Sequence, residues 1–228
     1  MPIATLMEKA NVRREVWRKV WCGRERNIMI FTKKELRQRL LAARSLTEQV
    51  AEHAYRIEDK AHQDHQTHVA IVILRQLAAL FSSAAHHQDQ RVPIIALYYP
   101  IGHEINLLDL AQHPALTHVQ WALSQVVAKA QPLQFLRWQP DMPLVAGAYG
   151  IPIPIEQSVV TPDIALIPCV GWQQVNGRYY RLGYGGGFYD RTLAAHPALK
   201  SNGIAMAWQE TTWQLEPYDA PLDELIIV

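Results

Sequence analysis

The chain has 228 residues, 49% of them hydrophobic, and a formal net charge of +1 at pH 7. That length supports one sizeable core, or one core with a small appendage. The near-neutral balance argues against nucleic acid or an acidic membrane as a partner, and apolar runs such as Val69 to Leu74 are too short to span a bilayer. Cys22 and Cys169 lie far apart without metal-ligand spacing, a usage that suits a reducing, cytoplasmic compartment.

Residues 1–28 include the basic stretch "NVRREVWRKVWCGRERN". They lack the continuous apolar segment of a secretory signal, and Glu8, Glu15 and Glu25 argue against a mitochondrial presequence. They are expected to form a peripheral or disordered extension, dispensable to a domain over 29–228, with Met29 an alternative start. Thr32 and Glu35 bracket a capping box, and Leu36, Leu40, Leu41 and Ala43 continue at helical spacing, which predicts a helix over 33–44. Ser45 and Thr47 open a predicted second helix to about residue 60. "AIVILRQLAAL" is apolar nearly all round and fits a buried helix or a strand.

"VPIIALYYP" reads as a buried strand, "INLLDLAQHP" as a helix stopped before Pro114, and "HVQWALSQVV" as a second strand. From Gln131 to Pro154 proline, glycine and aromatics predict ordered loop with short extended pieces. "DIALIPCV", "GIAMAW" and "DELIIV" are further strands, and a short helix is expected around Tyr189 to Ala195. Strands alternating with helices predict an α/β fold: a layered, mostly parallel sheet with helices on both faces.

The segment "YYRLGYGGGFYDRTL" places four glycines within Gly183 to Gly187, with Arg181 and Arg191 on either side and Asp190 after them. Glycine admits positive φ and lets backbone N–H groups approach a ligand closely. Such amides form an anion nest, and a helix starting near Tyr189 adds its positive end. Arginines beside the nest suit a polyphosphate, and an aspartate suits the magnesium ion that bridges phosphates. A glycine-rich turn is also often only a turn. Neither the P-loop nor the dinucleotide fingerprint is matched, and the RNA-recognition consensus is absent.

The order "PDIALIPCVGW", "RLGYGGGFYDRTL", "GIAMAWQ", "EPYDAPLDELI" resembles the 5-formyltetrahydrofolate cyclo-ligase family, also called methenyltetrahydrofolate synthetase. "KKELRQRLLAAR", "LYYPIGHEINLLDL" and "QPLQFLRWQPDMPLVAGAYGIPIP" fit the same family in the same order, so the resemblance runs from about Thr32 to the C-terminus. It implies an α/β sandwich related to the NagB/RpiA/CoA-transferase group. It also implies a cytoplasmic ligase of one-carbon metabolism, in which ATP and Mg²⁺ drive conversion of 5-formyltetrahydrofolate to 5,10-methenyltetrahydrofolate with release of ADP and phosphate. The partners implied are ATP and the formyl-folate, with or without a polyglutamate tail, on a monomer.

By this resemblance Lys33, Arg37, Arg181, Leu182, Gly183, Tyr184, Gly185, Gly186, Gly187, Phe188 and Tyr189 bind ATP, and Asp190 and Asp219 hold the metal. Lys33 and Arg37, four apart, share a helix face; alone, such a pair is usually a solvated surface. Asp219 alone is usually a turn residue. Glu104 corresponds to a family glutamate that binds the pterin, although by itself it reads as a first-turn helix glutamate. Tyr99, Trp138 and Tyr149 are expected walls for the flat rings, with core aromatics as the competing reading.

The chain departs from the family at several points. Some relatives carry lysine at the position of Gly186. Trp172-Gln173 stands where many have Phe-Asp, Ile153 where glutamate is common, and Ser124 where proline is usual. "QQVNGRYY" is longer than usual, and the chain stops at Val228 without the frequent Thr-Glu. The missing carboxylate at Gln173 and the change at Ile153 motivate an alternative, a catalytically weak folate- or nucleotide-binding paralogue. A weaker alternative is an RNA-binding module built on Arg13 to Arg26 and the glycine loop. His62, His65 and His68, followed by His86-His87, sit among Gln, Asp and Thr and read as a solvated helix face rather than a metal site.

Overall fold

A computed structural model describes residues 31–51, 58–81 and 91–228 of the chain. The expectations for residues 1–28 lie outside these. Helix α1 (Lys33–Ala51) opens on the expected cap. The Thr32 amide donates to Glu35 Oε2 at 2.8 Å, and the Glu35 amide donates to Thr32 Oγ1 at 3.3 Å. The helix runs on past Ser45 and Thr47, where the sequence predicts a new start. No glycine or proline interrupts it, and Ser or Thr inside a helix each cost well under ~1 kcal/mol. Helix α2 (Glu58–Phe81) takes the ambiguous "AIVILRQLAAL" as helix. Val69, Ile73 and Leu77, four apart, are buried along one stripe.

The strands follow as β1 (Ile94–Leu97), β2 (Gln120–Gln125), β3 (Gln134–Trp138), β4 (Leu144–Ala146), β5 (Pro152–Pro154) and β6 (Val159–Val160). Then come β7 (Ile164–Pro168), β8 (Gly171–Val175), β9 (Arg178–Leu182), helix α3 (Phe188–Ala195), β10 (Lys200–Ala205), β11 (Pro221–Leu222) and β12 (Glu224–Ile227). The main sheet has the order β12-β10-β7-β1-β2-β3-β6. It is parallel from β12 to β2, and β3 and β6 close it antiparallel. Strand alternation sorts its side chains to two faces. Ile95 and Leu97 pack with Val69, Ile73 and Leu77 of α2, whereas Ala96, Ala165 and Ile167 pack towards Tyr189 and Leu193 of α3. The sheet is therefore mostly parallel with helices on both faces, as the alternation of elements predicts.

Two local readings are corrected, at "INLLDLAQHP" and at the start of the "GIAMAW" strand. "INLLDLAQHP" makes only a 3-10 turn, Leu108–Gln112, because Asn106 Oδ1 takes the Leu108 amide at 3.0 Å and Pro114 follows closely. Among the short extended pieces expected from Gln131 to Pro154, β3 is driven by burial of Phe135, Leu136 and Trp138. "QQVNGRYY" is the β8–β9 hairpin, paired antiparallel with β11. Asn176 (φ 51°) and Gly177 (φ 78°) form its two-residue loop, a signal present in the sequence. Strand β10 starts at Lys200, before the predicted "GIAMAW", and ends at Ala205. Its buried Asn202 exchanges side-chain hydrogen bonds with Gln76 of α2 at 2.7 and 2.8 Å, which satisfies a polar residue no apolar pattern anticipates.

Candidate active site

The loop from β9 to α3 bends through Gly185 (φ 101°) and Gly187 (φ 64°), conformations that strain any residue with a Cβ. Two arginines occupy its carbonyls. Arg37 Nε donates to the Gly183 oxygen at 2.8 Å, and the Arg191 guanidinium donates to the Gly186 oxygen. Burial lowers the pKa of Arg37. Arg181 is buried beneath the loop, with its guanidinium carbon 4.9 Å from the centre of the Tyr189 ring. One nitrogen, Nη2, lies 3.3 Å from Asp190 Oδ2, while the buried Nε has no hydrogen-bond partner among the described residues. A buried donor left unmatched is costly and marks a place for an acceptor.

The first turn of α1 completes this charged wall. Lys33 Nζ lies 2.7 Å from Glu216 and 2.7 Å from each oxygen of Asp219. Burial lowers the ammonium's pKa, but the two carboxylates outweigh it and the net displacement is upward. Asp190 Oδ1 accepts from the amide of Ala220 at 3.4 Å, which brings Asp190 beside the residue following Asp219. Among the described residues no three metal-ligating side chains converge, and these two carboxylates are the donors at hand.

A cavity of about 1190 Å³ opens between these groups and the carboxyl ends of β1, β2 and β7, the usual position of sites on open parallel sheets. Lys33, Arg37, Tyr99, Glu104, Tyr149, Arg181, Leu182, Gly183, Tyr184, Gly185, Gly186, Gly187, Phe188, Tyr189, Asp190 and Asp219 all line it. Trp138 does not. Strand alternation turns its ring into the core with Trp121, Leu123 and α2, so the competing reading applies to it.

Glu104 is not a helix residue. It sits in the turn after β1, where its Oε2 accepts from the Ile101 amide at 3.0 Å. Burial pushes its carboxyl up to about 7, against the pull of that amide and of Arg44 and Arg181. The folded protein thus keeps this proton up to about pH 7, whereas the unfolded chain releases it near the ordinary 4.5. Stability from this group falls as pH rises through that window. Glu104→Gln is expected to melt above the wild type at pH 8 and level with it at pH 4, measured by thermal unfolding at both pH values. Across the cavity burial raises the Tyr189 phenol to about 12, and its hydroxyl stands 3.4 Å from Ser124 Oγ.

The departures from the family are placed unequally. Gln173 lies outside the cavity, buried, donating to the Trp213 carbonyl at 3.2 Å and accepting the Trp213 amide at 3.3 Å, so an amide there serves packing. Ile153 and Ser124 do line the cavity. A Cβ on Gly186 would stand 2.6 Å from the Phe188 ring, so the lysine some relatives carry would require that ring to move. Sequence reasoning left out Glu216, and it named Arg191 only as a cation beside the glycine nest, where the structure has it line the cavity and donate to the Gly186 carbonyl. It also missed Arg44, buried with Nη2 donating to the Cys169 carbonyl at 2.6 Å and Nη1 3.5 Å from the Tyr184 hydroxyl. The signal was available: Lys33, Arg37 and Arg44 fall on one stripe of α1 at 3.6 residues per turn. Cys169 is buried and its thiol is raised to about 12, which makes it inert. His68 is exposed, and His62, His65, His86 and His87 lie outside the described residues or side chains. No described helix is long and apolar enough to cross a membrane.

Strand ends opening onto a cavity, with cations and a glycine loop on one wall and a buried carboxyl on another, define an α/β ligand-binding enzyme. Residues 30–227 match the 5-formyltetrahydrofolate cyclo-ligase family, and the chain belongs to that family, whose members are ligases. It is 31% identical over 162 residues to a 5-formyltetrahydrofolate cyclo-ligase of Haemophilus influenzae, covering 61% of this chain and 78% of that protein. It is 27% identical over 170 residues to one from Mycoplasma pneumoniae, covering 68% and 93%. The solved structure of Aquifex aeolicus 5,10-methenyltetrahydrofolate synthetase superposes with a TM-score of 0.56 at 25% identity, covering 86% of this chain and 90% of that one. A 5,10-methenyltetrahydrofolate synthetase structure from Mycoplasma pneumoniae gives 0.55 at 22% identity, covering 86% and 98%, and supports the fold alone.

Proposed function

We propose that this chain converts 5-formyltetrahydrofolate to 5,10-methenyltetrahydrofolate, using ATP and Mg²⁺ and releasing ADP and phosphate. The observation that carries this is the buried Arg181, unmatched at Nε, beneath a glycine loop that lines the same cavity as Glu104. Arg37, Arg181 and Lys33 are the cations that align a triphosphate there, and such transfers depend on alignment and charge neutralisation. Asp190 and Asp219 suit magnesium, which takes one or two carboxylates and leaves its other positions to phosphate and water. When bound, that ion neutralises charge between the phosphates. Glu104 accepts N–H groups of the pterin, and Tyr99 and Tyr149 flank the rings.

The chemistry is balanced by the substrates themselves. The formyl oxygen takes the γ-phosphoryl group as ADP leaves. N10 then attacks the formyl carbon and gives its proton to water or to the departing phosphate, which leaves with that oxygen as the ring closes. The protein supplies orientation and exclusion of water. Each named group comes from one chain, so a monomer suffices, and a cytoplasmic setting with free or polyglutamated folate is part of this reading.

The test is to mix purified protein with 5-formyltetrahydrofolate, Mg²⁺ and ATP and follow the near-ultraviolet absorbance of the methenyl product. Product growth that requires all three is expected; growth without ATP, or none with all three present, refutes the reading. Lys33→Ala is expected to raise KM for ATP about tenfold, as loss of one charged contact does, while KM for folate stays nearly constant. Steady-state kinetics in each substrate checks this, and the reverse pattern would reassign Lys33 to the folate's glutamate tail.

A further inference from the structure

The turn Glu216–Asp219 is tied at several points. The Asp219 amide donates to the Glu216 carbonyl at 3.0 Å, and Asp219 Oδ2 accepts from the Glu216 amide at 2.9 Å. Lys33 holds both carboxylates from α1. The Ala220 amide reaches Asp190, and the chain passes directly into β11. Pro217, the first central residue, fixes its own φ. Tyr218, the second, is 87% exposed and stands on the cavity wall. A large aromatic side chain on an immobilised backbone has only two torsions left to order, so recruiting it for binding costs little entropy.

Two other rim tyrosines are already engaged. Tyr149 meets Phe188 edge-on with ring centres 6.2 Å apart, and the Tyr184 hydroxyl faces Arg44. Tyr218 makes no ring contact or side-chain hydrogen bond among the described residues. Its position selects what it meets. It precedes Asp219 directly, so its Cα lies about 3.8 Å from that of the residue whose carboxylate grips Lys33. Glu104, assigned to the pterin, has Arg44 and Arg181 as its charged neighbours, whereas Glu216 and Asp219 of the Tyr218 turn act on Lys33 and Arg37. With the pterin at Glu104 and its formyl group meeting the phosphates at Arg181, the Lys33 side, where Tyr218 stands, is left for the rest of the nucleotide.

We propose, resting on the nucleotide reading above, that Tyr218 stacks on the base of the bound nucleotide and gives the site its preference for a nucleoside triphosphate over a bare phosphate chain. Every base has a π-face, so the contact favours larger purines without reading hydrogen-bonding edges.

The experiment measures dissociation constants by calorimetry on the full chain with Mg²⁺, for ATP, inorganic tripolyphosphate and 5-formyltetrahydrofolate. The proteins compared are the wild type, Tyr218→Ala and Tyr218→Phe. The alanine variant is expected to bind ATP about tenfold more weakly, with tripolyphosphate and folate unchanged, and the phenylalanine variant to stay within about twofold throughout. Equal losses for ATP and tripolyphosphate would mean that the turn was disturbed. A loss for folate alone would assign the ring to the folate, and no loss for any probe would leave it without a role; each overturns the proposal. If the wild type binds neither ATP nor tripolyphosphate, the nucleotide reading has failed and the stacking proposal falls with it. If it binds both equally and Tyr218→Ala changes nothing, only the stacking proposal falls.

Discussion

Arg181→Met is expected to lower kcat/KM by about a thousandfold, the scale seen when an arginine that neutralises phosphoryl-transfer charge is removed. The size follows from where the side chain sits. Arg181 is 9% exposed, so little water is available to screen its charge or to replace it. It holds Asp190 through Nη2, and its buried Nε has no hydrogen-bond partner among the described residues. Methionine keeps most of the length and packing but offers no donor. Arg181→Lys is expected to recover only part of the loss, because one ammonium cannot serve Asp190 and a ligand with the fixed fork of a guanidinium. Thermal unfolding should fall by only a few degrees, since the Asp190 side chain is 22% exposed and can be hydrated once its partner is gone. Kinetics of the three proteins, with added guanidinium as a rescue arm, checks this. Near wild-type kcat/KM in Arg181→Met would remove the proposed role.

Asp190→Asn is expected to cut turnover at limiting Mg²⁺ by about a hundredfold while leaving the fold nearly as stable, because in the proposed function a neutral amide oxygen would replace a hard anionic ligand. The amide can still accept from Ala220, so the tie to the residue after Asp219 persists. What is lost is the negative charge facing Arg181 and, in the proposed function, the magnesium ion. The variant should need a higher Mg²⁺ concentration for half-maximal rate. Turnover measured across a magnesium titration, beside melting curves, separates the two effects. Wild-type turnover at limiting Mg²⁺, or a collapse in stability of the same size as the loss in rate, would make Asp190 a structural residue.

The glycine loop shows what a sequence conveys. "RLGYGGGFYDR" already contains the positive-φ positions, the flanking arginines and the aspartate, because such a loop is a local object whose needs are met by neighbours in the chain. The cap at Thr32 and Glu35, strands β1, β2 and β7, and the start of α3 are legible for the same reason: each rests on spacing within a few residues. The Asn176-Gly177 hairpin was equally local and simply went unread.

Other features need contacts across long separations. Trp138 and Tyr149 look alike as aromatics in one proline-rich stretch, yet one is core and the other is a cavity wall, which only the pairing of β3 with β2 decides. Asp219 reads as a turn residue until the turn meets Lys33, 186 positions earlier. Glu104 has an ordinary carboxyl in the chain, and only the packing around it raises its pKa to about 7. Asn202 and Gln173 look like solvent-facing amides, and each is buried against a distant partner that completes its hydrogen bonds.

By itself the sequence determined the α/β alternation, the glycine loop and which cations and carboxylates were available, since periodicity and backbone preference act over one or two turns of chain. The tertiary structure alone decided which of those charges meet, which aromatics face the cavity and how far a carboxyl's proton affinity shifts. Burial and Coulomb energy depend on distances through space, and the chain sets those distances only once it is folded.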